Sequence, residues 1–276
     1  MRLGICSFSL HRTVASGKMD FAGFVALSRR VGCTTLDPWC AHLEGGGDGA
    51  NQLHAGKNPG EADLGLPPAA QVPKLKAAAG SMPWGCIAVD GAHIWEDDPA
   101  KRAHHRARAS AWLKLAKGFG AASVRIDAGG PEQPDAATWA AIVSGYKELI
   151  AEAKGLGIEL LIENHWGPSV IPENVVRLLH DAPGLGLLFD TNNWKKGRQR
   201  EAWDLCARFA RVVHVKAFNF RPDGEEADVD LPYAIRKVKE QAKGEISWCV
   251  ESVPPKPEDE IPAVEKTIAL IRKHVG

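Results

Sequence analysis

The six cysteines of this 276-residue chain include no C-x-x-C pair. Cys6, Cys86 and Cys249 fall inside expected strands, where a free thiol behaves as a small hydrophobe. A reduced, cytoplasmic setting is therefore expected. Net charge is missing too, since Lys plus Arg and Asp plus Glu are both 34. A neutral chain lacks the basic footprint of a nucleic-acid binder, so no nucleic-acid partner is expected. No apolar run approaches the roughly 20 residues that cross a bilayer, so no membrane partner is expected. The opening Met1–Phe8 begins like a leader, but Ser7, Ser9, His11 and Arg12 interrupt it before a signal-peptide core forms. It reads as the first strand. A Gly-rich phosphate loop after an early strand is also absent, which argues against a doubly wound nucleotide fold.

What is present is alternation. Apolar segments of strand length lie at Leu3–Leu10, Thr34–Cys40, Trp84–Asp90, Ser123–Asp127, Glu159–Glu163, Gly186–Asp190, Val212–Phe218 and Ile246–Glu251. They are nearly continuous in apolar character, as parallel strands buried on both faces are. Helical periodicity runs through Phe21–Val31, Ala100–Phe119, Asp135–Lys154, Ile171–Leu179, Arg200–Phe209, Leu231–Gln241 and Ile261–His274. Gly120 follows one helix, and Gly155 is expected to cap another. Eight β-α alternations in a chain that is 45% hydrophobic predict an α/β fold, a single (β/α)8 TIM barrel over residues 1–276. One connection breaks the rhythm. Residues 41–68 hold Gly45-Gly46-Gly47, Pro59-Gly60 and Pro67-Pro68, a long Gly-rich loop after strand two. In a barrel it lies on the face that carries active sites, as a functional loop or a plain insertion.

Four metal-compatible side chains end the last four expected strands: Glu163, Asp190, His214 and Glu251, spaced 27, 24 and 37 residues apart. Each spacing is about one β-α unit, so three carboxylates and one imidazole converge on one side of the barrel mouth. Converging carboxylates repel unless a cation compensates them. Oxygen-rich ligation with one histidine favours Mn2+ or Mg2+, with Zn2+ or Co2+ as alternatives. Taken singly, each residue would more often be a solvated or capping group; the shared height is what singles them out.

The segments Ile162-Glu163-Asn164-His165, Leu188-Phe189-Asp190-Thr191-Asn192-Asn193, Val213-His214-Val215-Lys216 and Val250-Glu251, with Leu115–Ala121, resemble the xylose-isomerase-like sugar isomerase/epimerase superfamily. The resemblance covers nearly the whole chain. It implies that Glu163, Asp190, His214 and Glu251 bind one divalent metal ion, with Glu163 and Glu251 doubling as acid and base. Two positions depart from the pattern. Asn193 stands where many members carry a substrate-touching histidine, and Ala217 stands where many carry aspartate.

Such a site polarises a carbonyl and acidifies the adjacent C–H. The expected activity is isomerisation or epimerisation of a sugar, keto-sugar or related small polyol. A lyase, dehydratase or C-glycoside-cleaving reaction is the alternative. An AP endonuclease would need more strand-end histidines and a basic groove, and a non-catalytic barrel would be expected to lose its ligands. His165, Trp166, Asn193 and Lys216 are the expected substrate contacts, against second-shell or packing roles. Arg125 is expected to pair with Asp127 or a substrate anion, and His104-His105 to be solvated. The assembly is left open, with a homodimer or homotetramer compatible.

Overall fold

The computed structural model describes residues 1–45 and 64–276; most of the Gly-rich loop therefore lies outside the described residues. Seven strands form one parallel sheet: β1 (Arg2–Ile5), β2 (Cys86–Val89), β3 (Ser123–Ile126), β4 (Glu159–Glu163), β5 (Gly186–Asp190), β6 (Ala210–Ala217) and β7 (Ser247–Ser252). Their order is β1-β7-β6-β5-β4-β3-β2, and every pair is parallel. The larger helices between them are α1 (Phe21–Arg30), α2 (Val72–Ala79), α3 (Pro99–Phe119), α4 (Ala136–Leu156), α5 (Pro172–Asp181), α6 (Gln199–Cys206), α7 (Leu231–Gln241) and α8 (Glu260–Val275). Their apolar faces pack on the sheet and form one continuous buried core. Among the described residues, no helix is long and apolar enough to cross a membrane.

The expected strand at Thr34–Cys40 is a correction. No eighth strand forms there; the segment makes isolated parallel bridges, from Asp37 to Cys6 beside β1 and from Leu36 and Trp39 to Trp84 and Ala88 beside β2. Hydrogen bonds thus cross the gap between the two edge strands: Ser7 N donates to Asp37 O, and Gly85 N donates to Leu36 O. The ladder fails for a local reason. Pro38 has no N–H to give. The buried Asp37 carboxylate takes the Cys86 N–H at 2.8 Å, and Trp39 N donates to Ser7 Oγ at 2.9 Å. Gly4 and Gly85 make room for that carboxylate, since a Cβ on either would overlap it.

The first strand is shorter than expected. It stops at Ile5, and Ser7–Leu10 turns into a 3-10 helix that crosses the mouth. Ser9 Oγ there accepts Ser252 N at 3.0 Å, tying the turn to β7. Asp20, Asp98, Asp135 and Asp230 cap α1, α3, α4 and α7 through backbone N–H groups.

Gly155 is not a helix cap. It lies inside α4, which ends at Gly157 with φ +72°. This contrast gives a paired prediction. A Cβ at Gly155 meets nothing within 4 Å, so Gly155→Ala is expected to stabilise by up to about 1 kcal/mol. A Cβ at Gly145 in the same helix lies 2.5 Å from Ile94 Cγ2. Gly145→Ala is expected to destabilise, because overpacking of about 1–3 kcal/mol outweighs the propensity gain. Urea midpoints of the two variants should move in opposite directions from the wild type.

Candidate metal centre at the strand ends

Strand register sets each candidate ligand within two residues of the ligand on the next strand. Asp190 is the ladder partner of His214, and Lys216 is the partner of Glu251. The neighbouring polar residues hold this register. Asn164 clamps β4 to β5, accepting Asp190 N at 2.8 Å and donating to Asp190 O at 2.9 Å. Thr191 does the same between β5 and β6: its N donates to His214 O at 3.0 Å, and its Oγ1 accepts Lys216 N at 2.9 Å. The Asn after Glu163 and the Thr after Asp190 are therefore brackets for the two carboxylates.

Glu163, Asp190, His214 and Glu251 are all buried and each places a ligand atom within 4.8 Å of the others. His214 Nδ1 lies 2.7 Å from Glu251 Oε2 and 3.3 Å from Glu163 Oε1, without the alignment of a hydrogen bond. Oε2 of Glu163, Oδ2 of Asp190, Nδ1 of His214 and Oε2 of Glu251 are buried and meet only ion-pair partners: Arg125 Nε at 3.0 Å from Glu163, Lys216 Nζ at 3.5 Å from Asp190, and His214 and Glu251 each other at 2.7 Å. Three carboxylates and one imidazole packed this closely are a donor set that a divalent cation would satisfy. Their separations also match the edge of about 3 Å that joins ligands on bonds of about 2.1 Å. The donor set fits a divalent ion.

Charge balance agrees. Five carboxylates line the mouth: Asp90, Asp127, Glu163, Asp190 and Glu251. Two permanent cations answer them. Lys216 Nζ sits 2.6 Å from Glu251 Oε1 and 3.5 Å from Asp190 Oδ2. Arg125 sits 2.7 Å from Asp90, 2.9 Å from Asp127 and 3.0 Å from Glu163. The excess negative charge falls on the side of the four-residue cluster.

Burial lifts the Asp190 carboxyl to about 7, against the pull of Lys216. Burial opposes charge on His214, yet Glu251 and Glu163 hold its imidazolium up to about 10. Burial would raise Glu251 as well, but Lys216 and His214 bring it well below the usual carboxylate range. In the metal-free protein His214 thus carries a proton that ligation must expel. Metal affinity is expected to rise about tenfold per pH unit from about pH 7 to about pH 9, and more steeply below, where Asp190 also holds a proton. Calorimetry in buffers of different ionisation enthalpy reads the released protons; a pH-independent affinity would contradict the assignment.

A cavity of about 170 Å³ opens beside the cluster, lined by Phe8, Trp39, Asp90, Arg125, His165, Trp166, His214 and Glu251. His165 stands in its wall with Nδ1 3.3 Å from Asp127 Oδ2. Burial disfavours its charge, but Asp127 and Glu163 raise its pKa above the ordinary histidine value. Trp166 is half exposed and tilts against the His165 ring at 4.2 Å. Asn193 does not line this cavity; its backbone N–H donates to Asp190 Oδ1 at 2.8 Å. Lys216 is enclosed within the ligand cluster. Arg125 pairs with Asp127 as expected, and with Asp90 and Glu163 besides. The expectation that His105 is solvated is corrected, because its side chain is 3% exposed. Sequence reasoning missed Asp90. The signal for Asp90 was available: Val89-Asp90 repeats the apolar run ending in an acid seen at Asp127, Glu163 and Asp190.

The chain matches the family model of the xylose isomerase-like TIM barrel over residues 54–274. Among curated proteins, none matches by sequence. Solved structures share the fold at low identity. The D-allulose 3-epimerase of Methylomonas sp., solved with D-allulose, aligns at a TM-score of 0.72 with 12% identity, covering 99% of this chain and 97% of that one. AsbF of Bacillus anthracis, described as a probable 3-DHS dehydratase, aligns at 0.67 with 13% identity and 99% of each chain. A xylose isomerase-like TIM barrel protein of Mycobacterium smegmatis, solved with magnesium, aligns at 0.65 with 15% identity, covering 100% and 97%. With most of its length matched by that family model, this chain belongs to the xylose isomerase-like TIM barrel family.

Proposed function

We propose that the protein is a divalent-metal-dependent isomerase or epimerase acting on a sugar or keto-sugar, with Glu163, Asp190, His214 and Glu251 as ligands. The observation that carries this reading is the buried cluster of three carboxylates and one imidazole, with ligand atoms within 4.8 Å of one another, beside a small cavity. Mn2+ or Mg2+ suits three carboxylates and one imidazole. A bound ion supplies Lewis acidity to a substrate carbonyl and its neighbouring hydroxyl. The residues do the rest. Glu251 faces the cavity, is ionised, and receives the proton from the carbon next to the carbonyl. Glu163 lies behind it, held by Arg125, and serves as a ligand more than as a base. Return of the proton from Glu251 to the neighbouring carbon gives isomerisation. Return from His165 across the cavity gives epimerisation. Trp166, Trp39 and Phe8 offer apolar faces for a sugar ring. The relatives that bind D-allulose or hold magnesium support a small sugar and a hard ion.

A dehydratase or lyase is the second reading, favoured by His165. Its raised pKa lets it protonate a departing group on the far side of the cavity. The strand-end place of Asp90 and Asp127 is already filled by the guanidinium of Arg125, which disfavours a multinuclear DNA-repair site.

Incubation in D2O with metal and a panel of ketoses and keto-glycosides tests the proposal. Deuterium should enter the carbon next to the carbonyl, and Glu251→Gln should slow entry by about 10²–10⁴. Aglycone or water release without exchange would favour the lyase, and no reaction with any candidate would overturn both readings.

A further inference from the structure

We propose that His93, Glu96 and His105 form a second divalent-metal site, suited to zinc, on the loop after β2 and outside the four-residue cluster. Their ligand atoms all lie within 4.8 Å of one another. His93 Nδ1 is 3.1 Å from Glu96 Oε1, and His105 Nε2 is 3.8 Å from the same oxygen. These separations bracket the edge of about 3.3 Å between ligands of a tetrahedral ion with bonds of about 2.0–2.1 Å. Two imidazoles and one carboxylate are a borderline-soft set that suits zinc better than the oxygen-rich cluster does.

The orientation of His105 is the stronger argument. Its Nδ1 lies 2.5 Å from the Gly91 carbonyl, which accepts, so Nδ1 carries the hydrogen. Nε2 then presents its lone pair toward Glu96. At 3.8 Å from the Glu96 carboxylate, that lone pair leaves room for a cation between the two atoms. A metal-ligating histidine is commonly fixed in this way, by donating its other N–H to a backbone carbonyl.

The site is built rather than loose. His105 is held on α3, buried, with its ring stacked on His93 at 4.9 Å and 7°. Ile94 N and Trp95 N donate to Asp127 O and Ala128 O, fixing the loop on the end of β3. Arg102 Nε donates to Glu96 O at 2.7 Å. A Cβ at Gly129, φ +67°, would lie 2.1 Å from Trp95 O and 2.9 Å from His93 Cβ, so this close approach needs glycine. His93 and Glu96 face a groove that Trp166 also lines, leaving a fourth position open to solvent or ligand.

Zinc titration of the metal-stripped protein tests the site. Wild type should bind two zinc ions per chain. His93→Ala and Glu96→Gln, both at partly exposed positions, should each weaken one of them at least about tenfold, with the metal-free melting temperature unchanged. Glu251→Ala should keep that ion and lose the other. Cobalt in Glu251→Ala should give the intense visible band of a tetrahedral site, and the band should vanish when His93→Ala is added. Zinc binding to wild type that His93→Ala and Glu96→Gln leave unchanged would overturn the proposal. A single zinc lost only in Glu251→Ala would overturn it equally, while leaving the first cluster standing.

Discussion

Glu251→Ala, stripped of metal and titrated with Mn2+, is expected to bind the ion at the four-residue cluster at least about 100-fold more weakly than wild type. Two effects add. One ligand oxygen disappears, and so does the partner of Lys216, whose Nζ lies 2.6 Å from Glu251 Oε1. The freed ammonium is then left with Asp190 as its neighbouring carboxylate, 3.5 Å away, where it repels an incoming cation. Paramagnetic resonance of free Mn2+ reads the affinity directly. Glu251→Gln keeps the side chain's shape, and should lose affinity without loss of melting temperature. An affinity unchanged in both variants would remove Glu251 from the ligand set.

Arg125→Met is expected to be the most destabilising substitution near the site, by about 3–5 kcal/mol. The guanidinium is 5% exposed and contacts three carboxylates, so its removal leaves Asp90, Asp127 and Glu163 without their cation. Lysine does not replace the planar fork. The sign with pH follows from Asp127. Burial would raise its carboxyl, but Arg125 and His165 hold it far below the carboxylate range. A depressed pKa contributes stability above the unfolded value, near 4. The penalty is therefore largest at neutral pH and shrinks as the solution becomes acid. Urea unfolding of wild type and Arg125→Met at two pH values measures it, and a penalty that grows on acidification would contradict the pairing.

The four-residue cluster was readable in the sequence because strand-end position is a simple pattern. An apolar run that stops at an acid marks Glu163, Asp190 and Glu251, and β6 carries His214 beside Asp190. Seven of the eight expected strands appear on the same logic. The eighth is broken into single bridges, because Pro38 has no N–H and the Asp37 carboxylate takes the Cys86 N–H, and nothing in its apolar content signals that. A glycine after a periodic stretch predicts a cap at Gly155 as readily as at Gly157, and only backbone φ separates the two. His105 escaped notice for a different reason. Its neighbours Arg102, His104 and Arg106 make the helix look solvated, while its own side chain turns inward to the Gly91 carbonyl. Asn193, expected to touch substrate, holds Asp190 Oδ1 through its backbone N–H.

The most direct test of the account is the anomalous scattering of a crystal soaked in Mn2+. The account predicts a peak about 2.1 Å from a carboxylate oxygen of Glu163, Asp190 and Glu251 and from Nδ1 of His214. Strong density elsewhere, with Lys216 still paired to Glu251 and no peak among these four residues, would contradict it.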